Sequence, residues 1–416
     1  MTSATSERRT WLVSRRVLAV VLVTAAVIAA HLWYGNRHHF LDLRIYLNAM
    51  RWWTEGRDLY SYVHQDPVQG RLGFTYPPFA ALLLLPLATI GFRASVLVFW
   101  LGTASAVIVT TYWLVRPLAR RHHRPLWFAL GIALPLVSTL EPIRETVTFG
   151  QINMLLVVLV LADLLVVAVR WPKLAGIGIG LAAAIKLTPA IFIVYLVVTG
   201  RWRAALTAVA TAAAATLLAA AVAWRDSWHF WTSALWETSR VGHTDRVANQ
   251  SLLGMLARIT APHEPNRLLW LAVVVLVAGY GLWRARRAAL AGDEVVGLTL
   301  AGFVGALISP ITWPHHLFWF VPALLAIVDA GLRSDRNRRI GLLALGCLGW
   351  VSVTISVISL FELGLPHQRF GGGVIGFLIG NWYVLLMGLL LVTLPTRPAP
   401  APAVRPSPLR ERVAVA

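Results

Sequence analysis

Cysteine is nearly missing from this chain of 416 residues: Cys347 stands alone in an apolar run, so neither a disulfide framework nor a cysteine-rich zinc site is available. Lysine is almost as scarce, with Lys173 and Lys186 the only two among 37 basic residues. Charge as a whole is thin at 13% of residues, where a soluble globular domain carries about 25%. That shortage excludes a water-soluble enzyme, a coiled coil and a disordered chain. The Walker A phosphate loop and the HExxH pattern are also missing, which argues against P-loop nucleotide chemistry and zinc-protease chemistry.

What the chain has in abundance is apolar sequence. Hydrophobic residues make up 58%, mean hydropathy is +0.68, and apolar runs recur from Val17 to Leu394. These runs predict one all-α polytopic membrane domain of about 11–12 transmembrane or re-entrant helices. Residues 1–16 form a basic N-terminus, residues 17–394 the membrane domain, and residues 395–416 a Pro/Ala/Arg-rich cytoplasmic tail expected to be disordered. Residues 35–93 form a first outer loop with interfacial helices.

Basic residues concentrate in cytoplasmic loops, so the arginine clusters set the orientation. The net charge of +19 is then mainly a topology signal rather than the mark of a nucleic-acid binder. Two segments decide whether the clusters agree. The segment Tyr76–Phe92 opens with Tyr-Pro-Pro and is short of the ~20 apolar residues a span needs, so it is expected to lie shallow. The stretch Leu174–Thr199 is expected to be a broken, re-entrant hairpin with Lys186, Thr188 and Pro189 at its tip. With both readings every arginine cluster falls inside. Broken backbone at that depth needs protein cover or a wet cavity, so the hairpin also predicts a cavity.

The same topology places the polar clusters between apolar runs on the outer face: LDLRIY (41–46), FTYPP (74–78), EPIRE (141–145), GQIN (150–153), KLTP (186–189), NQS (249–251) and SPITWPHH (309–316). Polar groups at membrane depth are costly and mark function by default, so these clusters are expected to share one extracytoplasmic site. Each has a plainer reading. Asp42 would serve equally as a surface partner of Arg44, and Glu141, Arg144 and Glu145 as an ion-pair network at helical spacing. Gln151 and Asn153 would serve as interhelical hydrogen-bonding groups. Lys186 is harder to set aside, because a lysine inside the membrane needs an anionic partner, a carboxylate or a ligand phosphate. Adjacent on a helix, His315 and His316 point about 100° apart, which argues against a shared metal.

Taken in order, LDLRIY, EGRDLY, FTYPPFAALLLLPL, EPIRETVTFGQIN, AAIKLTPAIFIVYL, NQSL and LISPITWPHH resemble the membrane-embedded GT-C glycosyltransferases of family 87. That resemblance implies a GT-C-type helical bundle and an α-1,2-mannosyltransferase that draws on polyprenyl-phosphate-mannose. Its acceptor would be a mannosylated glycolipid or lipoglycan of the actinobacterial envelope, such as a phosphatidylinositol mannoside or lipoarabinomannan. The family's proposed base falls on Asp42 and its essential histidine region on His315 and His316. Substrate-binding roles are expected for Arg44, Tyr76, Glu141, Arg144, Gln151, Asn153, Lys186, Asn249, Gln250 and Ser251.

The chemistry such an enzyme needs agrees with these residue types. A polyprenyl phosphate leaves readily once cations stabilise its charge, and a weakly nucleophilic hydroxyl needs a carboxylate to accept its proton. No metal or other cofactor is expected, nor a nucleic-acid partner. A glycolipid transporter or flippase is the alternative of another class, although transporters commonly carry inverted repeats and none is visible. Transfer of another polyprenyl-phosphate sugar, such as arabinofuranose, also stays open.

Overall fold

Apolar runs fold here as helices because backbone N–H and C=O groups in a membrane have to be satisfied within their own segment. The computed structural model describes residues 2–66, 70–237, 243–359 and 373–397, with side chains from residue 13 onward; residues 398–416 of the Pro/Ala/Arg tail lie outside that range. The chain is an all-α polytopic membrane protein. Among the described residues the only sheet is a two-stranded hairpin of β1 (Val63–Asp66) and β2 (Gly70–Gly73).

Among the described residues, five helical segments are long and apolar enough to cross a membrane. They are Val13–Tyr34 of α1 (Thr2–Tyr34), α4 (Phe92–Arg121), Asn153–Arg170, α11 (Trp202–Val222) and α14 (Arg267–Leu290). The third comprises α7 (Asn153–Ala162), a π-helical turn at Asp163–Val167, and α8 (Ala168–Arg170). Two bent pairs bring the total to seven if each counts as one span. In the first, α5 (Leu126–Thr139) turns through 64° into α6 (Glu141–Phe149); in the second, 70° separates Gly373–Gly380 from Trp382–Thr393. Among the described residues, Pro78–Thr89, Pro172–Ile185, Thr188–Val198 and Glu294–Ile308 are shorter apolar helices. Thus α3 (Pro78–Thr89) has 12 residues, a length of ~18 Å against a hydrocarbon core of ~30 Å.

The stretch between Leu174 and Thr199 is a hairpin. Its two arms are α9 (Ile177–Ile185) and α10 (Ile191–Val198), and Lys186 is the first residue past α9. α9 starts against the N-terminal part of α11, where Gly176 lies so close that a Cβ would meet the Ala204 carbonyl oxygen at 2.1 Å. It runs alongside α11, since a Cβ on Gly180 would strike Ala208 and Thr211. α10 then returns to the same end, closing through Arg201 N–H to the Leu196 carbonyl. Down the other side of α10, Ile191 packs beside Gly305 and Tyr195 beside Gly297, antiparallel to α15 (Glu294–Ile308).

The bundle therefore has two unlike ends. One gathers basic residues around three acids, two buried and one half-buried: Arg121 and His122 on Asp329 at 2.5 and 2.8 Å, Arg201 on half-buried Glu294 at 2.9 Å, and Arg397 on Asp293 at 2.5 Å. The other carries α2 (Leu41–Thr54), α3, α6, the hairpin tip, α12 (Trp224–Thr232), α13 (Leu252–Thr260) and the strap from Ser309 to Trp319 that leads into α16 (Phe320–Arg333). α17 (Arg336–Thr354), α18 (Gly373–Gly380) and α19 (Trp382–Thr393) complete the chain.

Candidate active site

Asp42 occupies the first turn of α2, in the loop that follows the first span. That helix reaches the bundle through Gly150, which ends α6 at φ +71°; a Cβ there would meet Leu43 Cβ at 2.7 Å. Only glycine satisfies both the left-handed backbone and the close approach. The residue that follows, Gln151, is thereby set against Asp42, and its Nε2 donates to the Asp42 Oδ2 at 2.5 Å.

From Gln151 a continuous chain of hydrogen bonds crosses the site. The Tyr76 hydroxyl donates to Gln151 Oε1 at 2.9 Å and lies 2.7 Å from the Tyr46 hydroxyl. Lys186, at the hairpin tip, places Nζ 3.5 Å from the Tyr76 oxygen, 2.9 Å from Asn153 Oδ1 and 3.0 Å from His316 Nε2. The other His316 nitrogen accepts from the Trp313 backbone N–H at 3.2 Å. Asn153 is fixed in turn by donating to the His315 carbonyl at 3.0 Å. A carboxylate and an ammonium are thus joined through side chains from α2, the loop before α3, the α6–α7 link, the hairpin tip and the strap. Tyr76, Gln151 and Asn153 are buried, while Asp42, Lys186 and His316 each keep part of their surface open.

The environment of Asp42 is unusual for an acid. Burial pushes its carboxyl up to about 6, opposed by the Gln151 hydrogen bond and the Lys186 charge and reinforced by Asp66 of the β-hairpin. Among the described residues, no donor is seen on the carboxylate oxygen that Gln151 does not hold. At neutral pH it is ionised and basic enough to take a proton.

A cavity of about 70 Å³ adjoins this chain at Asn153 and His316. Its lining combines polar Thr188 and Thr312 with apolar Leu156, Val160, Ile191 and Phe192. It answers the expectation that a broken hairpin lines a cavity.

Behind His316 lies a second group. His315 is buried and, among the described residues, has no hydrogen-bond partner at either ring nitrogen, its Nδ1 3.6 Å from Glu145; His38 approaches the other Glu145 oxygen at 3.9 Å and stacks on Phe149 at 3.8 Å. His38, in the first loop, is held down to about 4 by burial and by Arg37 and His39, so it is neutral there. Among the described residues, no three His, Cys, Asp or Glu side chains converge to hold a metal.

Other residues expected to bind substrate stand elsewhere. Arg44, two residues beyond Asp42, points out of α2, donates to the His39 carbonyl at 2.9 Å and covers the Phe92 ring. Glu141 is buried, and its oxygens accept from the Ser356 hydroxyl at 2.5 Å and from the Tyr383 hydroxyl. Arg144 donates to the Thr139 and Thr354 carbonyls at 2.5 Å each. Glu141 and Arg144 thus tie α6 to the segment after α17 and, through Tyr383, to α19; neither side chain faces the cavity.

Asn249, Gln250 and Ser251 are completely buried. Asn249 donates to the Pro310 carbonyl and accepts from Thr312 N–H, Ser251 donates to the same Pro310 carbonyl, and Gln250 bridges Gly380 and Tyr383. Their polar groups are spent on backbone groups. They hold the strap that presents His315 and His316.

Tyr46 and Glu145 lie within the clusters LDLRIY and EPIRE, whereas His38 lies outside every cluster read from the sequence. Tyr46 had a signal: it lies four residues after Asp42, one helical turn along the same face. His38 had none, since its place depends on stacking against Phe149, far along the chain.

Known proteins resemble this chain over most of its length. The family model for glycosyltransferase family 87 matches residues 74–310. A polyprenol-phosphate-mannose-dependent alpha-(1-2)-phosphatidylinositol mannoside mannosyltransferase of Mycobacterium tuberculosis is 37% identical over 371 residues, covering 85% of each chain. The protein of that name from Mycolicibacterium smegmatis is 35% identical, covering 82% of this chain and 81% of its own. A phosphatidylinositol pentamannoside mannosyltransferase of the latter organism is 31% identical, covering 86% of this chain and 88% of its own. No solved structure matches. With a family model spanning more than half its length and relatives aligned over most of it, this multi-pass membrane protein belongs to glycosyltransferase family 87.

Proposed function

We propose that the enzyme transfers mannose from polyprenyl-phosphate-mannose to a phosphatidylinositol mannoside or related glycolipid on the extracytoplasmic face, forming an α-1,2 linkage. The observation that carries this reading is the chain from Asp42 through Gln151 and Tyr76 to Lys186 and His316. It supplies, in one place, a proton acceptor and a cation for a phosphate. The names of the relatives support the donor and the acceptor class. The basic residues of the opposite end support the sidedness, since such residues favour the cytoplasm.

In the proposed reaction the acceptor hydroxyl oxygen attacks the anomeric carbon of the donor as the bond to the phosphate oxygen breaks on the other side. The hydroxyl proton passes to Asp42, and the phosphate leaves with its electron pair toward Lys186. Gln151 holds one oxygen of Asp42 and so aims the other. A β-linked donor gives an α product in this single displacement, without a covalent intermediate. The apolar lining of the cavity beside His316 would take the first isoprene units. Because Lys186 receives the leaving charge, no metal is assigned to the step.

The test is transfer by the purified protein from synthetic polyprenyl-phosphate-mannose to a panel of phosphatidylinositol mannosides, with and without EDTA. An α-1,2-linked product, formed at the same rate with chelator, is expected. Use of polyprenyl-phosphate-arabinofuranose instead of the mannose donor would overturn the donor assignment. Loss of activity with EDTA and its return with a divalent cation would overturn the metal-free step.

A further inference from the structure

Outside the site, the most unusual surface is the helix α12, sequence WRDSWHFWT. Trp224, Trp228 and Trp231, at helical spacing i, i+4 and i+7, form one outward face, exposed by 64%, 61% and 37%. Trp224 and Trp228 stack with centroids 5.9 Å apart. The opposite face, Asp226, Ser227 and Phe230, is buried.

The position of α12 along the chain says what covers the tryptophans. It begins directly after α11, whose 21 residues span ~31 Å, about the thickness of the hydrocarbon core. α11 starts at the basic end with exposed Trp202 and ends where Trp224 begins. One apolar helix is thus bracketed by exposed tryptophans at the two depths where such rings sit at a membrane surface. Three tryptophans on a helix that leaves the end of a span suit the headgroup layer, where an aromatic body and a polar N–H are both accommodated.

The buried face of the same helix grips the first loop. Asp226 accepts from the Leu59 backbone N–H at 2.8 Å and from the Trp53 indole at 3.0 Å, and His229 lies 3.0 Å from Asp58. Tyr60 packs on Phe230 at 5.3 Å, and its hydroxyl donates to the carbonyl of Tyr76 at 2.8 Å. The hydroxyl of that same Tyr76 belongs to the chain joining Asp42 to Lys186.

We propose that the tryptophan face of α12 docks into the lipid headgroup layer at the site end of the bundle, and that the loop over Tyr76 is thereby tied to the membrane surface. The partner is the interfacial zone of the bilayer itself. This holds whichever lipid-linked sugar the enzyme uses.

Cys347 makes the test direct, because it is the only cysteine, is exposed, and lies eleven residues into α17 from Arg336, ~17 Å along the helix. Full-length protein is labelled with an environment-sensitive fluorophore at native Cys347 as the deep reference. The same probe is placed by Trp224→Cys and, separately, Trp228→Cys, each with Cys347→Ser. The proteins are reconstituted into phosphatidylcholine vesicles carrying nitroxides at the headgroup, high on the acyl chain, or near its end. Both α12 probes should lose most fluorescence to the headgroup and shallow nitroxides, and the Cys347 probe to the deep one. Quenching of the α12 probes chiefly by the deep nitroxide would make the helix part of a span and overturn the proposal. Quenching by aqueous iodide with none from any lipid nitroxide would overturn it too, leaving the face to water or to a protein partner.

Discussion

Two polar clusters at the same end of the bundle look alike in sequence and behave oppositely in structure. NQS is completely buried, and its side chains are spent on backbone groups of the strap and of α19. The chain from Asp42 to Lys186 and His316 ends in groups that are partly open, and its middle members are used to aim them. The first arrangement can only hold; the second has a proton acceptor and a cation left to offer. What separates framework from chemistry here is whether a buried polar group has been used up by its neighbours.

Substitutions should separate the two clusters sharply. The largest effect is expected at Asp42, where loss of a general base costs about 10² to 10⁴ in rate. Lys186→Met should follow, lowering kcat by about 10² to 10³ as a preorganised group facing the developing phosphate charge is lost. Steady-state kinetics check it, and a variant that changed KM alone would assign Lys186 to binding only.

The pH profile sharpens the same side of the comparison. The Asp42 carboxyl is raised to about 6, and the active form is the ionised one, so on the acid side activity should be lost as pH falls through that value. Below that point the rate should drop about tenfold per pH unit, measured as kcat in reconstituted vesicles. A rate that stays level down to pH 5 would separate the base from Asp42.

Asn249→Ala should act on the other side. It leaves the Thr312 N–H without its buried acceptor, at a cost of about 1–3 kcal/mol. Thermal unfolding in detergent should therefore shift down, while kcat per folded molecule falls least of all the variants. A large loss of kcat with unchanged stability would return the NQS segment to the chemistry.

Much of this architecture is written in composition and order. Lysine is so rare that Lys186 stands out, and the arginine clusters already require the turn from Leu174 to Thr199 to be a hairpin. Gln151 and Asn153 are legible as polar residues between apolar runs, and both join the site. Asn249 and Glu141 carry the same signal and do not join it, because a sequence does not say which partners a polar group finds. Arg44 follows Asp42 by two residues, far enough round a helix to face away. His38 reaches Glu145 only once α6 has been bent 64° from α5, a tertiary fact with no local trace.

The most direct test of the central claim, that Asp42 takes the acceptor's proton while its neighbours aim it, is single-turnover transfer by Asp42→Asn at saturating donor and acceptor. Asparagine keeps the shape and removes the basic oxygen. The account predicts a variant that unfolds at the wild-type temperature, binds the donor, and transfers at least about a hundredfold more slowly. A rate above about a tenth of wild type, outside the range for losing a base, would contradict it.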